Sequence, residues 1–525
     1  MSDTKSLGQY FTPSYISDFM VSLSNKSFDV NVLEPSAGEG VFLSSLSQKG
    51  FKNISAYEID TTLNNHSSIK IKYESFIKQD VNNFDLIIGN PPYIRWKNIP
   101  EEMKLELSNN SLWKIHFNSL CDYLYIFILK SIEALNENGE LIFITPEYWM
   151  HTTHSLSLRN YMIENGYFEK IIHFKETPIF DKVASSIIIF KYVKNSQQVK
   201  PKISYIEYDS RQKLSYELLS QIKKLEPIQD CKYIELEHFS KNTKWLFAET
   251  DVLNMINNFE KSCFVKKINN DLFDNSSSIL RLGDIARIGN GMVSGLDKAF
   301  QLPEDIGLND LEKLSTITVA KAKHLTPYNI MDTVKYIFFT KKITEQTLIN
   351  EYPNFYKHLF PFIENLNKRY KYNREIDYWE WVFLRNYTNL FNIKKQKIFI
   401  PCKERISHKD FIRFALANED TFPTQDVTAI YINNDIKESI YYFISLLNNK
   451  RIFEWLKYNG IIKGNILEFS EKPTSQIPIK LIDWNNPCEV KSHNKITELS
   501  KMYLENEKQS LLEQIDIEID NLFNC

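Results

Sequence analysis

The stretch Asp85-Leu86-Ile87-Ile88-Gly89-Asn90-Pro91-Pro92-Tyr93 constrains the fold more than any other part of the chain. Leu86-Ile87-Ile88 has the length and β-branching of a buried strand. Pro91 and Pro92 cannot donate to a ladder, so the strand stops there. Asn90 precedes a proline and is held extended, with its amide at the strand's carboxyl end, where open α/β sheets bind ligands. An exocyclic amine on an aromatic base is a poor nucleophile because its lone pair is delocalised into the ring. Two acceptors, the Asn90 side-chain carbonyl and the Pro91 backbone carbonyl, could take hydrogen bonds from both amine protons and free that lone pair. Tyr93 offers a ring for the base to stack on. The plain alternative is a strand followed by a proline-rich turn.

The rest of the chain frames this stretch. With 525 residues, two to four domains are expected, and 43% hydrophobic and 25% charged residues describe an ordinary soluble globular protein. A formal net charge of -3 gives no overall attraction for nucleic acid, so any such surface must be a local basic patch. Six scattered cysteines, without a Cys-x-x-Cys pair or a histidine cluster, argue against zinc or another metal and for a reducing, cytoplasmic setting. The first residues lack the apolar core of a signal peptide, and no apolar run is long enough to span a bilayer, so no membrane partner is expected.

In chain order, Thr12 reads as a helix N-cap and Pro13 as the first helical position, before Ile16, Phe19, Met20 and Leu23 at helical spacing. Val30–Leu43 reads as strand, glycine turn and helix, and Gly38 and Gly40 would let a ligand approach the helix amino terminus. It has neither the third glycine of a dinucleotide fingerprint nor a phosphate-loop lysine, so neither NAD nor ATP is indicated. The next strand ends at Glu58-Ile59-Asp60, about twenty residues on, where nucleoside-binding folds place a carboxylate on ribose hydroxyls. Glu58 is the better candidate, with Asp60 a turn residue. Asp80 either accepts from an adenine amine at the third strand's end or is a solvated turn residue. Together these residues describe a pocket for an adenosine-containing ligand.

Residues 94–121 read as a polar, irregular active-site loop and Tyr123–Leu135 as a buried helix. Lys170–Phe174 and Ser185–Val193 read as strands pairing antiparallel at the sheet's edge, with Phe180 in the loop between them. Residues 194–202 read as a connector. In the carboxyl half, Lys368, Arg369 and Arg374 interleave with aromatic residues, Arg385 follows Trp379 and Trp381, and Lys395 and Lys397 add charge. These are either solvated faces or a surface that grips phosphates and stacks bases. Lys495–Leu522 reads as a packing helix or helical hairpin.

Assembled, these motifs resemble the DNA adenine-N6 methyltransferases of bacterial restriction–modification systems, in the arrangement where cofactor motifs precede the catalytic motif and target recognition comes last. The resemblance rests on Gly8-Gln9-Tyr10-Phe11-Thr12-Pro13, Leu33–Gly40, Tyr57–Asp60, Asp80 and Asn90-Pro91-Pro92-Tyr93. More loosely it rests on Gly291–Phe300, Leu446–Lys450, Ser475–Ile479 and Ile515–Phe523. It implies a Rossmann-like class I methyltransferase domain over 1–245, a mixed α+β target-recognition domain over 246–490 and a helical segment over 491–525. It implies S-adenosyl-L-methionine near Thr12, Glu34, Pro35, Ser36, Ala37, Gly38, Glu58, Ile59, Asp80 and Asn90, with Phe127 against the cofactor's adenine. Asn90, Pro91, Pro92 and Tyr93 would hold a flipped-out adenine of double-stranded DNA, with Phe180 as a second ring. It also implies a monomer that methylates without cutting, beside a separate cognate nuclease. The same fold acting on cytosine N4, RNA guanine N2 or a protein glutamine amide is the alternative, as is a catalytically silent DNA-specificity module.

Overall fold

A central eight-stranded sheet carries the amino-terminal half of the computed structural model, which describes residues 10–180, 186–195, 201–266, 277–407, 409–463 and 465–525. Residues 8–9 of the opening motif, 181–182 of the Phe180 loop and 196–200 of the expected connector lie outside the described residues. The strands are β1 (Asn31–Glu34), β2 (Asn53–Ala56), β3 (Phe84–Gly89), β4 (Leu135–Pro146), β5 (Gly166–His173), β6 (Ile187–Lys194), β7 (Ile203–Tyr208) and β8 (Cys231–Leu236). Their order is β2-β1-β3-β4-β6-β5-β7-β8. β2, β1, β3 and β4 run parallel, and β6 inserts antiparallel between β4 and β5.

Leu86, Ile87 and Ile88 have no exposed surface, as the unbroken apolar run anticipates for a strand covered on both faces. Each contributes roughly 1.5–3 kcal/mol of burial. Ile87 points with Leu33 and Leu141 into a core shared with α3 (Glu101–Asn109), α4 (Ser111–His116) and α5 (Tyr123–Ala134). Leu86 and Ile88 point with Val32 and Ile142 into the opposite core, under α1 (Ser14–Ser22) and α2 (Val41–Lys49).

Four local expectations change. β5 and β6 pair antiparallel as read, but away from the edge, because β7 and β8 extend the sheet beyond β5. The third strand shrinks to one parallel bridge between Tyr57 and Lys72, so its end falls near residue 72 and not at Asp80. Residues 94–121 hold two helices, with Trp96 stacked on Trp113 at 5.7 Å and Met103, Leu107 and Trp113 buried. Pro13, and not Thr12, occupies the N-cap position of α1.

The chain divides into two compact units, Met1–Leu253 and Asn254–Cys525. The second holds a sheet in which Val427–Ile432 lies between Ala286–Asn290 and Lys397–Pro401, with Ala415–Ala417 beyond. It ends in two packed helices, Pro487–Asn506 and Gln509–Asn524. The second helix returns along the first, so Cys488 and Cys525 meet in a disulfide that their separation of 37 residues conceals. Among the described residues no helix is long and apolar enough to cross a membrane.

Candidate active site

Asn90 sits where β3 ends, and hydrogen bonds from three directions fix its side chain. Nδ2 donates to the Tyr10 carbonyl at 2.8 Å and to Thr12 Oγ1 at 3.0 Å, which determines which end of the amide is oxygen. Thr12, freed from capping duty, therefore serves Asn90. Oδ1 accepts from the Tyr93 hydroxyl, which also lies 2.7 Å from the Ile144 carbonyl. The Asn90 carbonyl accepts from Ser36 Oγ at 3.1 Å. The Pro91 carbonyl accepts no hydrogen bond among the described residues. Burial, reinforced by Tyr10, pushes the Tyr93 phenol well above its ordinary range, so its oxygen stays protonated.

Beside this corner opens a cavity with about 710 Å³ between its walls, part of it open to solvent. Pro35, Ser36, Gly38, Glu58, Ile59, Asn90 and Phe127 of the expected cofactor set line it, together with Pro91 and Pro92. Gly38, at φ +53°, turns its N–H to Glu58 Oε2 at 2.7 Å, and a Cβ there would meet nothing within 4 Å. Glu58 Oε1 accepts from the Asp60 N–H at 2.9 Å, which makes Asp60 the turn residue. Burial raises the Glu58 carboxyl above its ordinary value despite these hydrogen bonds.

Besides Thr12, which holds Asn90, three expected cofactor residues do not line the cavity. Glu34 is fully buried behind the wall, where Oε1 accepts from the Ser36 N–H and Oε2 has no partner. Ala37 packs with Leu43, Ala56 and Ile71. Asp80 is exposed and does not line the cavity, because the chain leaves the shortened third strand eight residues earlier. Glu74, Ser75 and Phe76 line the cavity in its place, with Tyr10, Ile94, Met103 and Tyr123. Counting from the end of the short strand, and not from the start of β3, is the signal that would have found Ser75.

A second cavity, of about 1170 Å³ including open solvent, is lined by Phe180, Pro178, Ile179, Pro13, Tyr15 and Lys213. Tyr10 and Phe11 line both cavities. The Tyr10 ring stacks on Tyr93 at 5.5 Å and 27°, and lies 5.8 Å from Phe180 at 40°.

In the second unit the expected basic residues separate into two groups. Arg369 is withdrawn inward, donating to the carbonyls of Ser294 at 2.7 Å, Asp377 at 3.1 Å and Glu380, and burial draws its guanidinium down to about 10. Lys397 has no exposed surface and donates to the Glu419 carbonyl, and burial draws its amine down to about 8. Lys395 binds the Ile432 carbonyl and Asn434, and Lys368 pairs with Glu364. Arg374 and Arg385 face the Phe383 ring at 4.4 and 5.4 Å, without a carboxylate partner among the described residues. Tyr370 and Tyr372 stand exposed beside them.

Residues 16–180 match the family described as Eco57I restriction-modification methylase. The chain is 44% identical over 519 residues to the Type II methyltransferase M.HindII of Haemophilus influenzae, covering 98% of each. It is 42% identical to the Type II methyltransferase M.HincII of the same organism, covering 98% of this chain and 97% of that one. The chain belongs to the Type II restriction–modification methyltransferases. A solved structure of the Type IIL restriction-modification enzyme MmeI in complex with DNA superposes with a TM-score of 0.57 at 11% identity, over 97% of this chain and 72% of that one. The fold of this methyltransferase is thus a class I, Rossmann-like α/β domain followed by a mixed α+β unit.

The cavity fits the family's methyl donor, S-adenosylmethionine. Glu58 would present its carboxyl to ribose hydroxyls, and Phe76, Ile94, Met103 and Phe127 would supply apolar walls for a purine. Gly38 leaves backbone open at the cavity wall, and Glu34 Oε2 is a buried oxygen without a partner behind it.

Proposed function

We propose that this methyltransferase transfers a methyl group from S-adenosylmethionine to N6 of an adenine in a specific double-stranded DNA sequence, as the modification component of a restriction–modification system. The observation that carries the reading is the fixed Asn90 amide beside the unengaged Pro91 carbonyl, at the rim of the Glu58 cavity. The target base must leave the helix, since its amine is unreachable inside the stack. Tyr93, with Phe180 across the slot, offers it aromatic faces.

S-adenosylmethionine, when bound, supplies the electrophilic methyl. The chain's own groups do the rest. Asn90 Oδ1 accepts a hydrogen bond from one amine N–H, and the Tyr93 hydroxyl that now occupies it keeps the Ile144 carbonyl as its acceptor. No buried donor is stranded by that exchange, so the corner can open to substrate at little cost. The Pro91 carbonyl accepts a hydrogen bond from the second amine N–H, and the pair draws the nitrogen toward tetrahedral geometry. Both acceptors are preorganised where positive charge develops. No cysteine nucleophile is required, because transfer is direct and in line.

Arg374 and Arg385, set about Phe383, are the basic residues best suited to DNA contact. The test is base analysis of unmethylated bacterial DNA after incubation with the protein and S-adenosylmethionine carrying a labelled methyl group. N6-methyladenine at one recurring sequence is expected; label in N4-methylcytosine, or none in DNA, would overturn the reading.

A further inference from the structure

We propose that Tyr10 is the resident of the target-base slot in the DNA-free enzyme, a side chain that stands in for the extruded base and must swing out before the base enters. The inference rests on the reading that Tyr93 and Phe180 receive the base, and adds a residue that this reading does not use.

Tyr10 duplicates the contacts assigned to the base. Its ring lies on Tyr93 at 5.5 Å with planes 27° apart, and on Phe180 at 5.8 Å and 40°. Carbon atoms in contact sit about 3.5–4 Å apart, so a base sandwiched between two rings needs roughly 7–8 Å between their planes. Neither gap beside Tyr10 admits one. While the Tyr10 ring is in place, the face of Tyr93 on which it stacks is taken, and so is the side of Phe180 beside it.

The position of the ring points the same way. Among the described residues, Tyr10 and Phe11 alone line both the Glu58 cavity and the Phe180 cavity and so form the partition between them. Withdrawing the Tyr10 ring joins the two spaces at the point where a base amine must approach Asn90.

The residue is also built to move. Its side chain is 39% exposed, so it is not a core residue whose loss would empty the interior. Its backbone is tied down, since the Tyr10 carbonyl accepts from Asn90 Nδ2 at 2.8 Å. A rotation about χ1 moves the ring and leaves that bond in place. The same residue therefore holds the Asn90 amide in its working orientation through its backbone, and fills the slot through its ring. In the absence of DNA the filled slot keeps the buried Tyr93 hydroxyl and Asn90 Oδ1 out of water.

The experiment measures steady-state methylation of unmethylated bacterial DNA by the full-length protein carrying Tyr10→Ala or Tyr10→Phe. Removing the stand-in should lower KM for DNA three- to tenfold, and Tyr10→Phe, which keeps the ring, should behave as the wild type. Nitration of Tyr10 by tetranitromethane, read by peptide mass mapping of the wild type, should rise severalfold when DNA and S-adenosylhomocysteine are both bound. A KM for DNA that is unchanged or raised in Tyr10→Ala, or nitration that falls in the ternary complex, would overturn the proposal. Base analysis of the same reactions keeps the two readings apart. N6-methyladenine with an unmoved KM sinks the Tyr10 role alone, whereas methyl label on another base sinks the slot assignment itself.

Discussion

Gly89 lies so close to the Glu34 carboxylate that a Cβ on residue 89 would collide with Oε1 and fall 2.6 Å from Oε2. Glu34 is fully buried at the end of β1, so its carboxylate would have to shift within the interior. Gly89→Ala should therefore cost about 1–3 kcal/mol through overpacking. It should also displace the backbone that presents Asn90. Calorimetry is expected to show a lower melting temperature for the first unit, and titration a weaker affinity for S-adenosylmethionine. A variant with wild-type stability would mean that Glu34 has another place to go.

Glu34 also sets a pH dependence. Burial, with the Glu58 carboxylate adding to it, holds the Glu34 carboxyl well above its ordinary 4.5, against the pull of the Ser36 N–H. Because the folded value lies above the unfolded one, the group's contribution to stability is complete below pH 4.5 and is lost as pH rises through the folded value. Glu34→Gln does not titrate and escapes that loss. Denaturant unfolding across pH should show the variant gaining on the wild type as pH rises above 4.5, then levelling off. A stability difference independent of pH would show that Glu34 ionises normally.

The basic residues of the second unit should divide in solution as they do in the fold. Arg369→Ala strands several backbone carbonyls and should destabilise the second unit by about 3 kcal/mol. Lys397→Met should leave DNA affinity near the wild-type value, since its amine is enclosed. Arg374→Ala and Arg385→Ala should weaken DNA binding while leaving stability almost unchanged. Each phosphate that the variant no longer neutralises should reduce the slope of log affinity against log salt by about 0.9. Fluorescence anisotropy at several salt concentrations measures both. If Lys397→Met flattened the salt slope, the assignment of the interface would be wrong.

The lysine and arginine outcomes show what sequence could and could not convey. Lys397 and Arg369 look like surface charge because their interior acceptors are backbone carbonyls, which carry no residue identity. Their enclosure follows from the loops at 294, 377–380 and 419, all distant or irregular in sequence. The Asn90 corner is legible because β-branched burial, a proline stop and an amide are local properties. Its three-way anchoring is not, since Tyr10 and Thr12 arrive from about eighty residues away and Ile144 from another strand. The displacement from Asp80 to the Ser75 region has a simple cause. A third strand reduced to one bridge leaves too little ladder for a periodic signal, so an aspartate eight residues further on, just before β3, passes for its end. The helices over 101–116 are hidden by their polar outer faces, although Met103, Leu107 and Trp113 carry the buried side.

Asn90 Oδ1, which faces the Tyr93 hydroxyl, is the group proposed to activate the target amine, a role separate from Asn90's place in the cavity wall. Asn90→Ala measured by single-turnover methylation, alongside calorimetric titration with S-adenosylmethionine, tests it most directly. Loss of a preorganised hydrogen-bonding group from such a site costs about 10²–10³ in rate. The account expects a fall of at least that size with cofactor affinity within a few-fold of the wild type. Methylation at the wild-type rate, or a loss explained entirely by weaker cofactor binding, would contradict it.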